Sequence, residues 1–175
     1  SRLRMEASDI AVSATAALSD VLTQRLIEGT LDLAVMYRPI QPPGHTVEHL
    51  FDEEFVLVTS GRAGQRKGNS DYVFINWGPD FQQDHAAAYP ELIKPGLSLD
   101  LGSMPIDYVL TNELSAYFPM RLVRPHLSRG RLKQPKRARR FVYPVYLVYP
   151  ETRDEEAYEP ILDMLRREGA RYATA

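Results

Sequence analysis

The stretch RLIEGTLDLAV, from Arg25 to Val35, contains the pattern that decides the fold class of this chain. An apolar helical stripe ends here, Gly29 follows where a left-handed residue closes a helix, and an apolar run of strand length begins at Leu31. Ser19 is the predicted N-cap of the helix. A nearly continuous apolar strand is typical of a parallel sheet, so strand, helix, glycine and strand predict a βαβ unit.

The alternation of strands and helices continues to the end of the chain. A proline-rich loop over 38–45 and a glycine-rich loop over 60–69 interrupt it. We therefore expect an α/β fold with two clusters of elements, one before about residue 55 and one after about residue 70. Periodicity predicts strands at 3–7, 31–37, 54–59, 72–77, 97–101, 116–119 and 140–149, and helices at 80–88, after Ser103, at 120–128 and at 154–167.

Composition narrows the class of protein. The 175 residues are 44% hydrophobic and 25% charged, which is enough for a core without metals or disulfides. The chain has no cysteine, which excludes disulfides, thiolate catalysis and cysteine-bound zinc. Its net charge of -2 gives no global attraction to nucleic acid. No apolar run approaches the ~20 residues of a membrane span. The absence of cysteine fits a reducing compartment, and we expect a cytoplasmic protein.

Signals of catalysis are weak. The sequence has no G-x-S-x-G, no P-loop and no H-E-x-x-H motif. The glycine-rich segment 61–68 only mimics a phosphate loop, since Lys67 precedes a glycine instead of Ser or Thr. His45 and His49 are four residues apart, but they leave a loop for a strand, and their acidic neighbours are better explained as a solvated turn. We expect no enzyme, no cofactor and no metal site.

Several segments, in order, resemble the effector-binding domain of LysR-type transcriptional regulators. The likeness covers roughly residues 18 to 168. It is carried by the stretch quoted above, by HLFDEEFVLVT at 49–59, by INWGPDF at 75–81, by AYFP at 116–119 with LSRGRL at 127–132, and by YPVYLVY at 143–149.

The resemblance implies a two-lobed, periplasmic-binding-protein-like (type 2) α/β fold with two crossover segments. Lobe I would comprise residues 1–55 and 145–175, and lobe II residues 56–144. A small-molecule effector, such as a carboxylate or an aromatic compound, would bind in the cleft between them. We expect the family's helix-turn-helix, and the first strand and helix of lobe I, to be missing from this sequence. Residues 112–115 also replace the family's glycine-rich turn.

The resemblance also implies partners. Operator DNA would be bound through the missing helix-turn-helix and not through this chain, and the protein would form a homodimer or homotetramer. The alternative is a solute-binding protein of a transporter with the same fold. A third possibility is a small enzyme with an unrecognised site.

Candidate effector-binding residues lie where strands end and helices begin. The first group is the turn formed by Trp77, Gly78, Pro79, Asp80 and Phe81, with two aromatic side chains that could equally belong to the lobe core.

Other candidates share this geometry. Ser19 and the pair Gly102 and Ser103 begin helices, where capping alone would explain the serines. Tyr37 and Arg38 end a strand, and Arg38 could bind a carboxylate effector or simply lie in water. The seven basic residues between Arg129 and Arg140 are interpreted as a solvated surface, with a partner contact as the alternative.

Overall fold

The computed structural model describes residues 11–61, 63, 71–92, 97–99 and 104–173. The chain divides into two compact units, of which the first comprises Ser1–Glu53 with Tyr143–Ala175 and the second Glu54–Val142. The strand predicted at 3–7 and the candidates Gly102 and Ser103 lie outside the described residues.

Five helices, one short 3-10 turn and seven strands are found in the described part of the chain. The helices are α1 (Ser19–Ile27), α2 (Pro79–Ala88), α3 (Met104–Thr111), α4 (Met120–Ser128) and α5 (Glu155–Ala173), and the 3-10 turn is Pro90–Leu92. The strands are β1 (Ala34–Tyr37), β2 (His45–Ser60), β3 (Val73–Ile75), β4 (Leu97–Leu99), β5 (Ser115–Pro119), β6 (Leu132–Lys133) and β7 (Phe141–Pro150).

In the first unit, β7 lies between β1 and β2. β1 pairs with β7 in antiparallel register, from Ala34 opposite Val148 to Tyr37 opposite Val145. The parallel pairing predicted for this strand is therefore not found among its described neighbours. One small core unites Leu22, Leu26, Ala34, Met36 and Val148, and another unites Leu147, Tyr149 and Leu162.

In the second unit, the last third of β2 pairs with β5 and β6, and both pairings are antiparallel. β3 and β4 pair in parallel, as expected for strands joined by a helical connection. The core is built mainly from β-branched and aromatic side chains: Val56, Val58, Val73, Ile75, Val109, Leu114, Ala116, Phe118, Val123 and Leu132.

Helix α1 confirms the pattern that opened the sequence but corrects its first residue. Leu18 is the N-cap and Ser19 is already helical, because the Ser19 hydroxyl bonds elsewhere and gives no capping hydrogen bond. At the other end, Gly29 has the expected left-handed backbone, with φ 67°. The amide of Thr30 then donates to the carbonyl of Arg25 at 3.0 Å and closes the helix.

Strand β2 begins nine residues earlier than predicted, and the acidic turn expected around Glu48 and Glu53 is wrong. These carboxylates belong to the strand, since Glu53 is only 3% exposed and Glu48 binds side chains of neighbouring elements. Acidic residues conceal a strand from sequence patterns when their charges are compensated by partners distant in sequence.

Three prolines lie inside regular elements. Pro144 lies in β7, which is not an edge strand, but it precedes the residues that pair with β1 and so removes no β1 bond. Pro125 and Pro160 both lie inside helices, α4 and α5.

Candidate functional site

The turn from Asn76 to Phe81 joins β3 to α2 in the second unit. Gly78 has φ 116° and ψ 170°, a conformation that is essentially restricted to glycine. Its amide donates to Asn76 Oδ1 at 3.1 Å, so the asparagine side chain stabilises the turn. Sequence reasoning missed Asn76, although an Asn two residues before a Gly is itself a turn signal.

Helix α2 begins immediately after this turn, with Pro79 as its first residue and no side-chain cap. Proline suits this position because its fixed φ is helical and its missing N–H would have had no helical partner. Asp80 lies in the first turn, where a negative charge is favoured by the helix dipole.

Trp77 is held against the sheet of its unit. Its Nε1 donates to the carbonyl of Tyr117 at 2.8 Å, and its ring meets Phe55 edge-on with 5.4 Å between centroids. The side chain packs on the core and remains half-buried. The sequence left two roles open for Trp77, a contact with the effector and a place in the core. The structure is compatible with both, because the ring contacts the core and remains partly accessible.

Phe81 is placed differently, since it is only 2% exposed. Its ring packs among Phe55, Phe74, Tyr117 and Phe141 at centroid distances of 5.5 to 5.9 Å. A side chain so enclosed supports the turn from within the core of its unit and offers almost no surface to a ligand.

A buried polar pair lies in the same aromatic cluster. The Tyr72 hydroxyl and His85 Nε2 are hydrogen-bonded at 2.7 Å, and their rings stack with 12° between planes. Burial lowers the pKa of His85 and raises that of Tyr72, because each charged form would be desolvated. Both groups are therefore neutral at pH 7.

A second tyrosine network fixes the segment that precedes β7. The hydroxyls of Tyr89 and Tyr117 are 2.8 Å apart, and Tyr117 donates to the carbonyl of Arg139 at 2.9 Å. The amide of Arg139 in turn donates to the Tyr89 hydroxyl at 3.0 Å. No local sequence pattern indicates this network, because its members are up to 50 residues apart.

In the first unit, Ser19 and Tyr37 lie together. The Ser19 hydroxyl donates to the carbonyl of Tyr37 at 2.9 Å, which ties the start of α1 to the end of β1. Ser19 is half-buried and keeps its acceptor lone pairs.

Arg38 follows directly with φ 38°, a left-handed conformation that costs an arginine about 1–2 kcal/mol. Its side chain is exposed. Strained residues of this kind cluster at binding sites, so this backbone marks the end of β1 as a candidate site independently of the side-chain chemistry.

The described part of the chain contains no group of three or more His, Asp or Glu side chains that could hold a metal ion. No described helix is both long and apolar enough to cross a bilayer.

A family model described as the LysR substrate binding domain matches residues 1–170. A search of curated proteins gave no match. Among solved structures, the bromide-bound regulatory domain of HypT from Salmonella typhimurium is 15% identical, with a TM-score of 0.74, covering 97% of this chain and 89% of that one. The reduced OxyR regulatory domain from Pseudomonas aeruginosa is 18% identical, with a TM-score of 0.68 and coverages of 95% and 87%.

Full-length LysG from Corynebacterium glutamicum with bound effector Arg is 11% identical, with a TM-score of 0.74. The match covers 97% of this chain but 62% of LysG, so the chain spans less than two thirds of that regulator. Together, the family match and these folds identify the architecture as the type 2 periplasmic-binding-protein-like α/β fold.

Proposed function

The chain belongs to the LysR substrate-binding domain family, and from this membership we propose how it senses its effector. It is an effector-sensing domain of a LysR-type regulator and not an enzyme. The match over residues 1–170 carries this conclusion, and it also disfavours a transporter's solute-binding protein.

We propose two candidate effector-binding surfaces, one on each unit. In the first unit the surface is formed by Ser19, Tyr37 and Arg38, supported by the strained Arg38 backbone and the Ser19 hydroxyl. In the second unit it is formed by Trp77, Gly78, Pro79 and Asp80, while Phe81 supports the turn from within the core. Gly102 and Ser103 remain candidates from the sequence alone, as does the assignment of the units to lobes I and II around a ligand cleft.

A small polar effector with an anionic group suits these surfaces. Arg38 can bind a carboxylate bidentately, and α2, which begins two residues after Trp77, has no side-chain cap on the backbone N–H groups of its first turn. Two neighbours carry small charged species in their structures, bromide in HypT and arginine in LysG.

In the full regulator we propose that operator DNA is recognised by a helix-turn-helix domain, and that effector binding shifts a homodimer or homotetramer between two states in the cytoplasm. The effector must then bind the two states with different affinities, because equal affinity would shift nothing.

A thermal-shift screen of small carboxylates and aromatic acids tests the effector site. A ligand at 100 times its Kd should stabilise the chain by ~2.7 kcal/mol. Because Trp77 is the single tryptophan, binding at its turn should also change the emission spectrum.

For a carboxylate hit, Arg38→Gln should weaken binding at least tenfold. The matched control, Arg25→Gln on the exposed side of α1, should leave it unchanged. A confirmed binder that is insensitive to Arg38→Gln and silent in Trp77 emission would place the effector elsewhere.

A further inference from the structure

The second unit carries a concentrated positive charge, which we call the basic surface: the nine Lys and Arg side chains from Arg121 to Arg140. They are nine of the 21 basic residues of the chain, whereas the other residues carry twelve cations against all 23 carboxylates. No Asp or Glu occurs between Glu113 and Glu151. A chain with a net charge of -2 is therefore strongly polarised.

The structure exposes all nine side chains, on α4, on β6 and on the segment that leads to β7. Arg140 pairs with Glu54 at 2.9 Å, and the Arg139 guanidinium lies 5.6 Å from the Phe141 ring centroid. Six form no ion pair with any residue that the structure describes: Arg124, Arg129, Arg131, Lys133, Lys136 and Arg137.

These six charges lie on α4, on β6, which contacts α4, and on the segments beside β6. Like charges placed in this way repel one another, and the described carboxylates do not compensate them. Salt screens this repulsion, so it is weak at high ionic strength. At ordinary ionic strength it favours the binding of an anionic partner. The backbone is nevertheless held in place, because the network of Tyr89 and Tyr117 fixes Arg139 from both its N–H and its carbonyl. The exposed basic residues next to Arg139 in the sequence are therefore attached to a backbone that these hydrogen bonds hold in place.

The composition of the basic surface distinguishes between kinds of anionic partner. Protein interfaces are depleted of charged residues at their core, whereas protein–DNA interfaces are strongly positive. No Phe, Tyr or Trp occurs between Phe118 and Phe141, so stacking of these side chains on unpaired bases is not available. Seven of the nine residues are arginines, whose planar fork matches phosphate oxygens.

We propose that the basic surface binds the phosphate backbone of duplex DNA without reading its sequence. This goes beyond the proposed function, in which a separate helix-turn-helix recognises the operator, and it does not depend on the effector site. It also replaces the interpretation of these residues as a solvated surface. Contacts of this kind position a protein on DNA and add affinity that depends steeply on salt.

The test measures anisotropy of a labelled 30-base-pair duplex of arbitrary sequence with the 175-residue chain, at 20 to 200 mM NaCl. The quadruple variant R124Q/R129Q/R131Q/K133Q should weaken binding at least tenfold at low salt. It should also reduce the slope of log K against log salt by up to about 3.6, since each neutralised phosphate contributes about 0.9.

The matched control removes four cations from the first unit, R25Q/R153Q/R167Q/R171Q, and should leave the slope unchanged. Urea unfolding of both variants establishes that they fold. Absence of binding by the unsubstituted chain at 20 mM NaCl, or equal losses in the two variants, would overturn the proposal. Loss of self-association in the first variant, with DNA binding intact, would overturn it in favour of a protein interface.

Discussion

At Gly78 the backbone occupies a region of φ and ψ that side chains with a Cβ almost never adopt. A Cβ added there would meet no atom within 4 Å, so steric space does not explain the glycine. Arg38 and Glu113 also have positive φ, 38° and 53°, without being glycine. Glu113 lies in the segment where the resembling family has a glycine-rich turn, and it adopts the backbone that glycine would provide.

Replacing Gly78 by alanine should destabilise the chain by about 1–3 kcal/mol, because the strain is in the backbone alone. The comparison is Gly130→Ala, at φ 68° and with equally open space, which should cost about 1 kcal/mol. Urea unfolding monitored by far-UV circular dichroism measures both. Equal costs for the two variants would show that the unusual φ and ψ of Gly78 carry no additional penalty.

Among the elements, the turn and helix from Trp77 to Ala88 could be anticipated from Gly78 and Pro79, as could α1 with its closing Gly29. The long β2 could not, because Glu48 needs partners on β7 and α5 that no local pattern reveals. Which face Trp77 presents was also beyond the sequence, since it depends on the Tyr117 carbonyl 40 residues away. Local conformational rules predict where chains turn, and long-range pairing determines what they bury.

Helix α5 is attached to β2 by Arg166. Its Nε and Nη2 donate to the two oxygens of Glu48 at 2.8 and 2.9 Å, and its Nη1 donates to Glu159 and Asp163. Hydrogen bonding to Arg166 is the main cause that lowers the pKa of Glu48. The bidentate geometry makes this a stronger contact than an isolated surface pair.

Arg166→Met should therefore destabilise the chain by about 1 kcal/mol in urea, and the loss should shrink in 1 M NaCl. Arg171→Met removes an exposed pair with Glu168 on the same helix and should cause no measurable change. If Arg166→Met lowers the free energy of unfolding by the same amount at low and high salt, the effect comes from packing of the aliphatic part of the arginine side chain.

Over the whole molecule, His85 makes stability depend on pH. Its side chain is 1% exposed, and the Tyr72 hydroxyl bonds it, while Glu91 partly offsets the effect of burial on its pKa. The folded chain thus binds the His85 proton less readily than the unfolded chain, where the pKa is near 6.5. Its contribution is complete above that value and is lost as the pH falls toward the folded pKa.

The urea midpoint should accordingly decrease between pH 7.5 and pH 5.5. His85→Gln, whose amide can still bond Tyr72, should flatten this dependence. His49→Gln, which changes an exposed histidine paired with Asp52, should not flatten it. If the urea midpoint of His85→Gln still decreases steeply between pH 7.5 and pH 5.5, another group takes up the proton.

The second unit is one continuous stretch, Glu54–Val142, while the first is assembled from both ends of the sequence. During synthesis, Ala34 must therefore wait for its strand partner Val148 while all of the second unit is translated. At ribosomal rates of about 5–20 residues per second, the delay is on the order of 5–20 s. The nascent chain thus exposes the apolar side of α1 and β1 throughout this interval, which makes the early first unit the expected substrate for chaperones.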